Sequence, residues 1–281
     1  MKFALVANET KGQALDILKG ISHYLTELGH TVAFEQAGLG PKAARRSVAG
    51  CDFLVSIGGD GSILSLIHHM SLPLPPVIGV NLGSLGFLAD IPANDIFGGF
   101  EAIHKGAYHI SDRLIIEGSV PKSFHQYAIN EIAIHRGAEP HLVDLAIHVD
   151  GRFVNTFSAD GVIVATPSGS TAYSLAAGGP IVTPTLPALI LTPICPHTVS
   201  NKPIVLMPKE SLSIELWHGA KFVDVAFDGQ APERLAFGEA LQVCVSRDTF
   251  KLATLSTGDF FTTLRTKLGW TGSLRRAGGV K

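Results

Sequence analysis

The chain has 281 residues, of which 46% are hydrophobic and 16% charged, and its formal net charge at pH 7 is −2. That length holds one large domain or two ordinary ones, each with its own core. The balance of charge excludes the broad basic surface of a nucleic-acid binder or a membrane-surface protein; clustered basicity is confined to Arg275, Arg276 and Lys281 near the end of the chain.

The cysteines, Cys51, Cys195 and Cys244, are far apart and form no metal-binding spacing, so buried thiols in a reducing compartment are expected. Only Phe3 to Ala7 are apolar before the polar Asn8-Glu9-Thr10-Lys11. This run is too short for a signal peptide and suits a first strand. No stretch approaches the roughly 18 apolar residues of a membrane span. The expected location is cytoplasmic, and the glycosylation pattern Asn8-Glu9-Thr10 is then a chance match.

Residues 3–7 read as a strand. Ala14, Ile17, Leu18, Ile21, Leu25 and Leu28 then recur at helical spacing, and Gly29 stops the helix. Thr31 to Glu35 read as a second strand, and a short helix is expected around 42–48. Phe53 to Ile57 is a short apolar run, broken by Gly58-Gly59-Asp60-Gly61. Ser62 then opens a helical pattern as its expected cap. Val77 to Val80 is the next strand, followed by the loop Asn81 to Asp90, whose Phe87 could line a flat ligand. Strands alternating with helices indicate a parallel α/β sheet, with ligands at the carboxyl ends of its strands.

The pattern changes near residue 106. Short strands follow at Leu114–Glu117, Tyr127–Ile134, Leu142–Val149, Phe153–Phe157 and Val162–Ala165. More follow at Ile204–Leu206, Leu212–Leu216, Phe222–Phe227, Leu241–Val245 and Phe250–Leu255. Asp150-Gly151 is a hairpin signal, and a helix is possible at 171–177. The expected architecture is an α/β domain with a parallel sheet over 1–106, plus about 256–281, and an all-β sandwich over 107–255. The segment containing Leu264, Leu268 and Trp270 is expected to return to the first domain.

Three stretches carry chemistry. A strand, a glycine turn and a helix start make an anion site, in which Gly58, Gly59 and Gly61 let phosphate approach the main chain. Asp60 is paradoxical there unless it meets a metal ion, a sugar hydroxyl or a transferable proton. Asn130-Glu131 interrupts an apolar strand and suits a sugar diol, the carboxylate accepting two hydroxyl protons. From Asp160 to Pro180, small and hydroxyl residues surround Tyr173, whose ring offers a stacking surface for a base. Each has a plainer reading: a capped turn, a solvated strand edge, or a Ser/Thr-rich helix start. Asp228-Gly229-Gln230 alone is a hairpin turn. No protein-only metal site is visible.

Gly58-Gly-Asp-Gly61, Asn81-Leu-Gly-Ser-Leu-Gly-Phe87, Asn130-Glu131, and Asp160-Gly161 through Thr166-Pro-Ser-Gly-Ser-Thr-Ala-Tyr173 to Gly178-Gly-Pro180 resemble, in order, the bacterial NAD kinases. Asp228-Gly-Gln230 and Leu264-Arg-Thr-Lys-Leu-Gly-Trp270 extend the resemblance over nearly the whole chain. It implies transfer of the terminal phosphate of ATP, with Mg²⁺ or another divalent cation, to the 2′-hydroxyl of the adenosine ribose of NAD, making NADP. Polyphosphate is an alternative donor. It also implies a homo-oligomer, a dimer or tetramer, in which a neighbouring subunit completes part of the site. Asp60 matches the proton acceptor, and Asp60, Gly61, Asn130 and Glu131 match NAD-binding positions. His141, Asp160, Thr171, Ala172, Tyr173, Ser174, Leu175, Ala176 and Gln230 fall on further contacts. Ser158 stands where several relatives carry Arg, and Ala176 where others carry Ser; the corresponding basic and hydroxyl contacts are not carried over. The alternatives are another Gly-Gly-Asp-Gly kinase acting on a lipid or sugar, and a non-catalytic NADP(H)-binding sensor.

Overall fold

The computed structural model describes residues 1–37, 48–70, 72–83, 86–138, 141–255 and 259–272. The first half runs β1 (Lys2–Ala7), α1 (Ala14–Glu27), β2 (Thr31–Ala37), β3 (Phe53–Gly58), α2 (Asp60–His68), β4 (Val77–Asn81), β5 (Ile91–Pro92) and α3 (Ile96–His104). β1 to β4 pair in parallel in the spatial order β4-β3-β1-β2. β3 and β4 are buried throughout, because helices cover both faces of the sheet. On one face Leu18, Ile21 and Leu25 of α1 and Phe100 and Ile103 of α3 pack on Phe3, Leu5, Val55 and Ile57. On the other, Ile63, Leu66 and Ile67 of α2 pack on Ala4, Leu54 and Val77. Chain order reverses between β1 and β3, which opens a crevice at their carboxyl ends.

The second half is β6 (Tyr108–Val120), β7 (Phe124–Ala128), β8 (Glu131–His135), β9 (Val143–Val149), β10 (Arg152–Ala159), β11 (Gly161–Ala165), the one-turn α4 (Tyr173–Ala176), β12 (Leu189–Ile194), β13 (Ile204–Leu206), β14 (Leu212–His218), β15 (Phe222–Phe227), β16 (Glu233–Ala236) and β17 (Ala240–Leu255). Its strands form two facing sheets around Ile116, Ile132, Leu145, Phe157, Ile214 and Phe227. One sheet has the order β13-β12-β11-β8-β15-β16. The other is continuous with the parallel sheet, because β17 pairs antiparallel with β6 and, through Leu252, parallel with Val77 of β4. Asp150 and Gly151 turn β9 into β10 with φ of 48° and 74°, the backbone a tight hairpin requires. α5 (Phe260–Leu268) returns to the first half. The Asp259 carboxylate caps its start by accepting from Phe261 N and Thr262 N, Leu264 is buried, and Phe260 lies against Phe87 with ring centroids 6.0 Å apart. The expected fold class therefore holds.

The elements differ from the sequence reading in several places. α2 begins at Asp60, after Gly59, and Ser62 does not cap it; the Ser62 hydroxyl instead accepts from Asn8 Nδ2 at 2.9 Å. Tyr127–Ile134 is not one strand, because Ile129 and Asn130 form a turn between β7 and β8. Leu241–Val245 and Phe250–Leu255 are parts of one long strand, bent by a register shift between Val245 and Thr249. The helix expected around 42–48 falls almost wholly outside the described residues, as does Leu85. Among the described residues no helix is long and apolar enough to cross a membrane.

Candidate active site

The glycine turn sits at the crevice between β1 and β3. Gly59 has φ 156° and ψ −174°, a conformation open essentially to glycine alone. It delivers the chain from β3 directly into α2, so the Asp60 and Gly61 amides at the rim of the crevice have no partner within the helix, whereas Ser62 N donates back to Gly59 O at 3.0 Å. The resulting cleft of about 340 Å³ is lined by Gly58 to Ser62, Asn81, Gly83, Gly86, Asn8, Lys11 and Lys267. Asn8, at the end of β1, closes one wall; its N–H donates to Ile57 O at 2.9 Å. These amides and two lysines suit a phosphate chain.

Asp60 is held by the loop that follows β4. Its Oδ1 accepts from Leu88 N at 3.1 Å and Ala89 N at 2.9 Å, and its Oδ2 from Phe87 N at 2.7 Å. The approach is so close that a Cβ on Gly86 would lie 2.1 Å from Oδ1. With two lone-pair positions on each oxygen, Oδ1 is saturated and Oδ2 retains one acceptor position. Lys267 of α5 lies beside that oxygen, with Nζ 3.9 Å from Oδ2 and 4.7 Å from the centre of the Phe87 ring. Phe87 is half-buried beneath this lysine.

The second cluster is built on the Ile129–Glu131 turn. Asp228, fully buried at the end of β15, accepts from Ile129 N at 2.8 Å, Asn130 N at 2.7 Å and Glu131 N at 3.0 Å. Thr166 N donates to Asn130 O at 2.8 Å, binding the turn to the Thr166–Tyr173 segment. Glu131 is buried, and among the described residues its Oε2 has no hydrogen-bond partner. Burial first, and then the Asp228 charge, push its carboxyl up to about 8, although the Tyr173 N–H pulls it down. The upward direction favours the neutral acid, which has an O–H to donate as well as lone pairs to accept with. Tyr173, 39% exposed, leaves its ring open to a ligand; burial and then Cys195, Asp160 and Glu131 raise its phenol. Asp160 accepts from Arg136 Nε at 2.6 Å.

The remaining candidates fall into three groups. Thr171, Ala172, Leu175, Ala176 and Gln230 are partly or well exposed around Tyr173 and the β15 turn. Ser174 is fully buried and bonded to Thr192 Oγ1 at 2.9 Å, so its side chain supports α4 from beneath. His141 is exposed, and no hydrogen bond ties it to the other candidates among the described residues. The Ser158 hydroxyl donates to Asp144.

Sequence reasoning passed over several residues. Asn8 was hidden in a glycosylation pattern, Lys267 in a helix read only for packing, and Asp228 in a turn. His68, whose Nε2 lies 2.9 Å from Asp228 Oδ2, carried no sequence signal.

Amides arranged for phosphate beside a carboxylate with one acceptor position to spare suit phosphoryl transfer to a hydroxyl, the chemistry of a nucleotide-dependent phosphotransferase. The ATP-NAD kinase N-terminal domain matches residues 41–108 and the ATP-NAD kinase C-terminal domain residues 129–255. A NAD kinase of Protochlamydia amoebophila is 47% identical over 97% of this chain and 99% of its own length, and one of Caldanaerobacter subterraneus is 35% identical over 95% and 98%. The chain belongs to the NAD kinase family. Its structure is similar to a yeast NADH kinase complexed with NADH, with TM-score 0.82 and 27% identity over 98% of this chain and 89% of that one. It is also similar to an Archaeoglobus fulgidus NAD kinase in complex with ATP, with TM-score 0.75 and 28% identity over 96% and 98%.

Proposed function

We propose that this chain transfers the terminal phosphate of ATP to the 2′-hydroxyl of the adenosine ribose of NAD, making NADP. The observation that carries the reading is Asp60, fixed by three backbone amides at the edge of the phosphate cradle with one Oδ2 acceptor position open. The helix amides, Lys11 and Lys267 hold the phosphate chain in line. Asp60 Oδ2 orients the attacking hydroxyl and takes its proton late, as the phosphorus–oxygen bond forms, because a carboxylate is too weak a base to ionise a sugar hydroxyl in advance. Lys267 balances negative charge where carboxylate and phosphate converge.

Asn130 and the neutral Glu131 address the ribose diol. The exposed ring of Tyr173 stacks on a base, while Asp160, His141, Thr171 to Ala176 and Gln230 supply further dinucleotide contacts. A partner subunit in a dimer or tetramer completes the site. Among the described residues no group of three or more His, Cys, Asp or Glu forms a metal cage. One carboxylate beside a phosphate cradle fits Mg²⁺ arriving with ATP, an ion that takes one or two carboxylates together with substrate phosphates and water. Because the one open position of Asp60 serves the hydroxyl, substrate phosphates and water would hold the ion beside that carboxylate, and it would withdraw charge from the transferring group.

Incubation with NAD, Mg²⁺ and either ATP or polyphosphate, followed by detection of NADP, tests the reading. NADP is expected with ATP; dinucleotide binding by calorimetry without NADP from either donor would indicate a sensor and overturn it.

A further inference from the structure

We infer that His68 is a positioning residue that sets the phosphate cradle against the dinucleotide-binding turn, through the buried Asp228 carboxylate. The inference rests on the proposed transfer from ATP to NAD. Asp60 and His68 are the first and last residues of α2, which has nine residues and is therefore about 13 Å long. One end of this rigid element carries the acceptor carboxylate. The other meets Asp228, whose two oxygens also receive the three amides of the Ile129–Glu131 turn.

The joint is well determined. The His68 side chain is 11% exposed and that of Asp228 is fully buried. The imidazole stacks on Tyr127 with centroids 5.3 Å apart and planes 7° from parallel. The Tyr127 hydroxyl lies 2.7 Å from Ile67 O, which also accepts from Met70 N at 3.0 Å, and 3.0 Å from Met70 O, so it holds the last turn of the helix. One buried carboxylate thus joins the α/β half to the β half, and the joined pieces are those that bear Asp60 and Glu131. In-line transfer depends on how these two approach each other, and misplacement by about 1 Å can cost ~10²-fold in rate. Neither His68 nor Tyr127 lines the phosphate cleft.

The test compares His68→Phe, which keeps the stack on Tyr127 but removes the donor, with His68→Gln, which restores an N–H near the Nε2 position. Binding of NAD, and separately of ATP, is measured by calorimetry, and kcat is divided by the calorimetric number of sites per chain. For His68→Phe we expect kcat per site to fall about 10- to 100-fold, both affinities to be retained, and His68→Gln to recover most of the loss. Wild-type kcat per site in His68→Phe would overturn the inference, as would loss of sites with normal turnover in those remaining. His68→Ala replaces His68→Phe if the latter does not fold. If neither folds while His68→Gln does, the contact serves folding and the inference falls. Absence of NADP formation by the wild type is a separate result, which would sink the proposed reaction itself.

Discussion

Replacing Glu131 by Gln tests the electrostatics of the site without touching the phosphate cleft. The carboxyl is raised from an ordinary 4.5 to about 8 by burial and by Asp228. Between those values the unfolded chain has released a proton that the folded chain keeps. Stability therefore falls as pH rises, by about 1.4 kcal/mol per pH unit, and levels off above the folded-state value. At neutral pH the accumulated cost is roughly 3 kcal/mol, and below about pH 4.5 it is absent. Gln cannot ionise and escapes it. The group that replaces the unpartnered Oε2 carries its own desolvation penalty of about 1–3 kcal/mol, but that term does not vary with pH. In urea titrations of the unliganded protein, the stability of Glu131→Gln relative to wild type is thus expected to climb from about pH 5 to about pH 8 and then flatten. A difference constant across that range would mean that Glu131 is ionised in the folded protein, and the neutral-donor assignment would fail. The burial that makes Glu131 a hydrogen-bond donor is the same burial that costs stability, as expected of a group kept for function.

Two other substitutions address the cradle. Gly86→Ala places a Cβ against Asp60 Oδ1, where it would come within 2.1 Å, and must push the carboxylate aside; kcat is expected to fall about 10²-fold with ATP binding retained, and near-wild-type turnover would show that the Asp60 position does not matter. Lys267→Met removes the cation 3.9 Å from Asp60 Oδ2. A loss of about 10²-fold in kcat/KM, partly recovered in Lys267→Arg, is expected for a group that stabilises developing charge, and unchanged kinetics would place the lysine outside the reaction.

Much of the architecture was legible because periodicity and punctuation agree. Phe53–Ile57 is a short apolar run ended by glycines, and Asp150-Gly151 stands between alternating segments. Local signals misled where a tertiary contact took over. Ser62 has the composition of a cap, yet Asn8 claims its hydroxyl and the helix starts two residues earlier. Tyr127–Ile134 has the composition of a strand, but Asp228, 97 residues beyond Glu131, gathers three consecutive amides and bends it. Still longer separations in sequence hid Lys267 and His68, whose roles exist only once α5 and β15 are docked. The protonation state of Glu131 was equally invisible, since it follows from burial and from a neighbour that spacing does not disclose.

The central claim is that Asp60 accepts the proton of the ribose hydroxyl during transfer. Asp60→Asn keeps the shape of the side chain and removes the base. Calorimetric NAD affinity and single-turnover NADP formation, measured on the same preparation with ATP and Mg²⁺, test the claim most directly. The account expects NAD binding to be largely kept and the rate of transfer to fall about 10²–10⁴-fold. Transfer at the wild-type rate would contradict it.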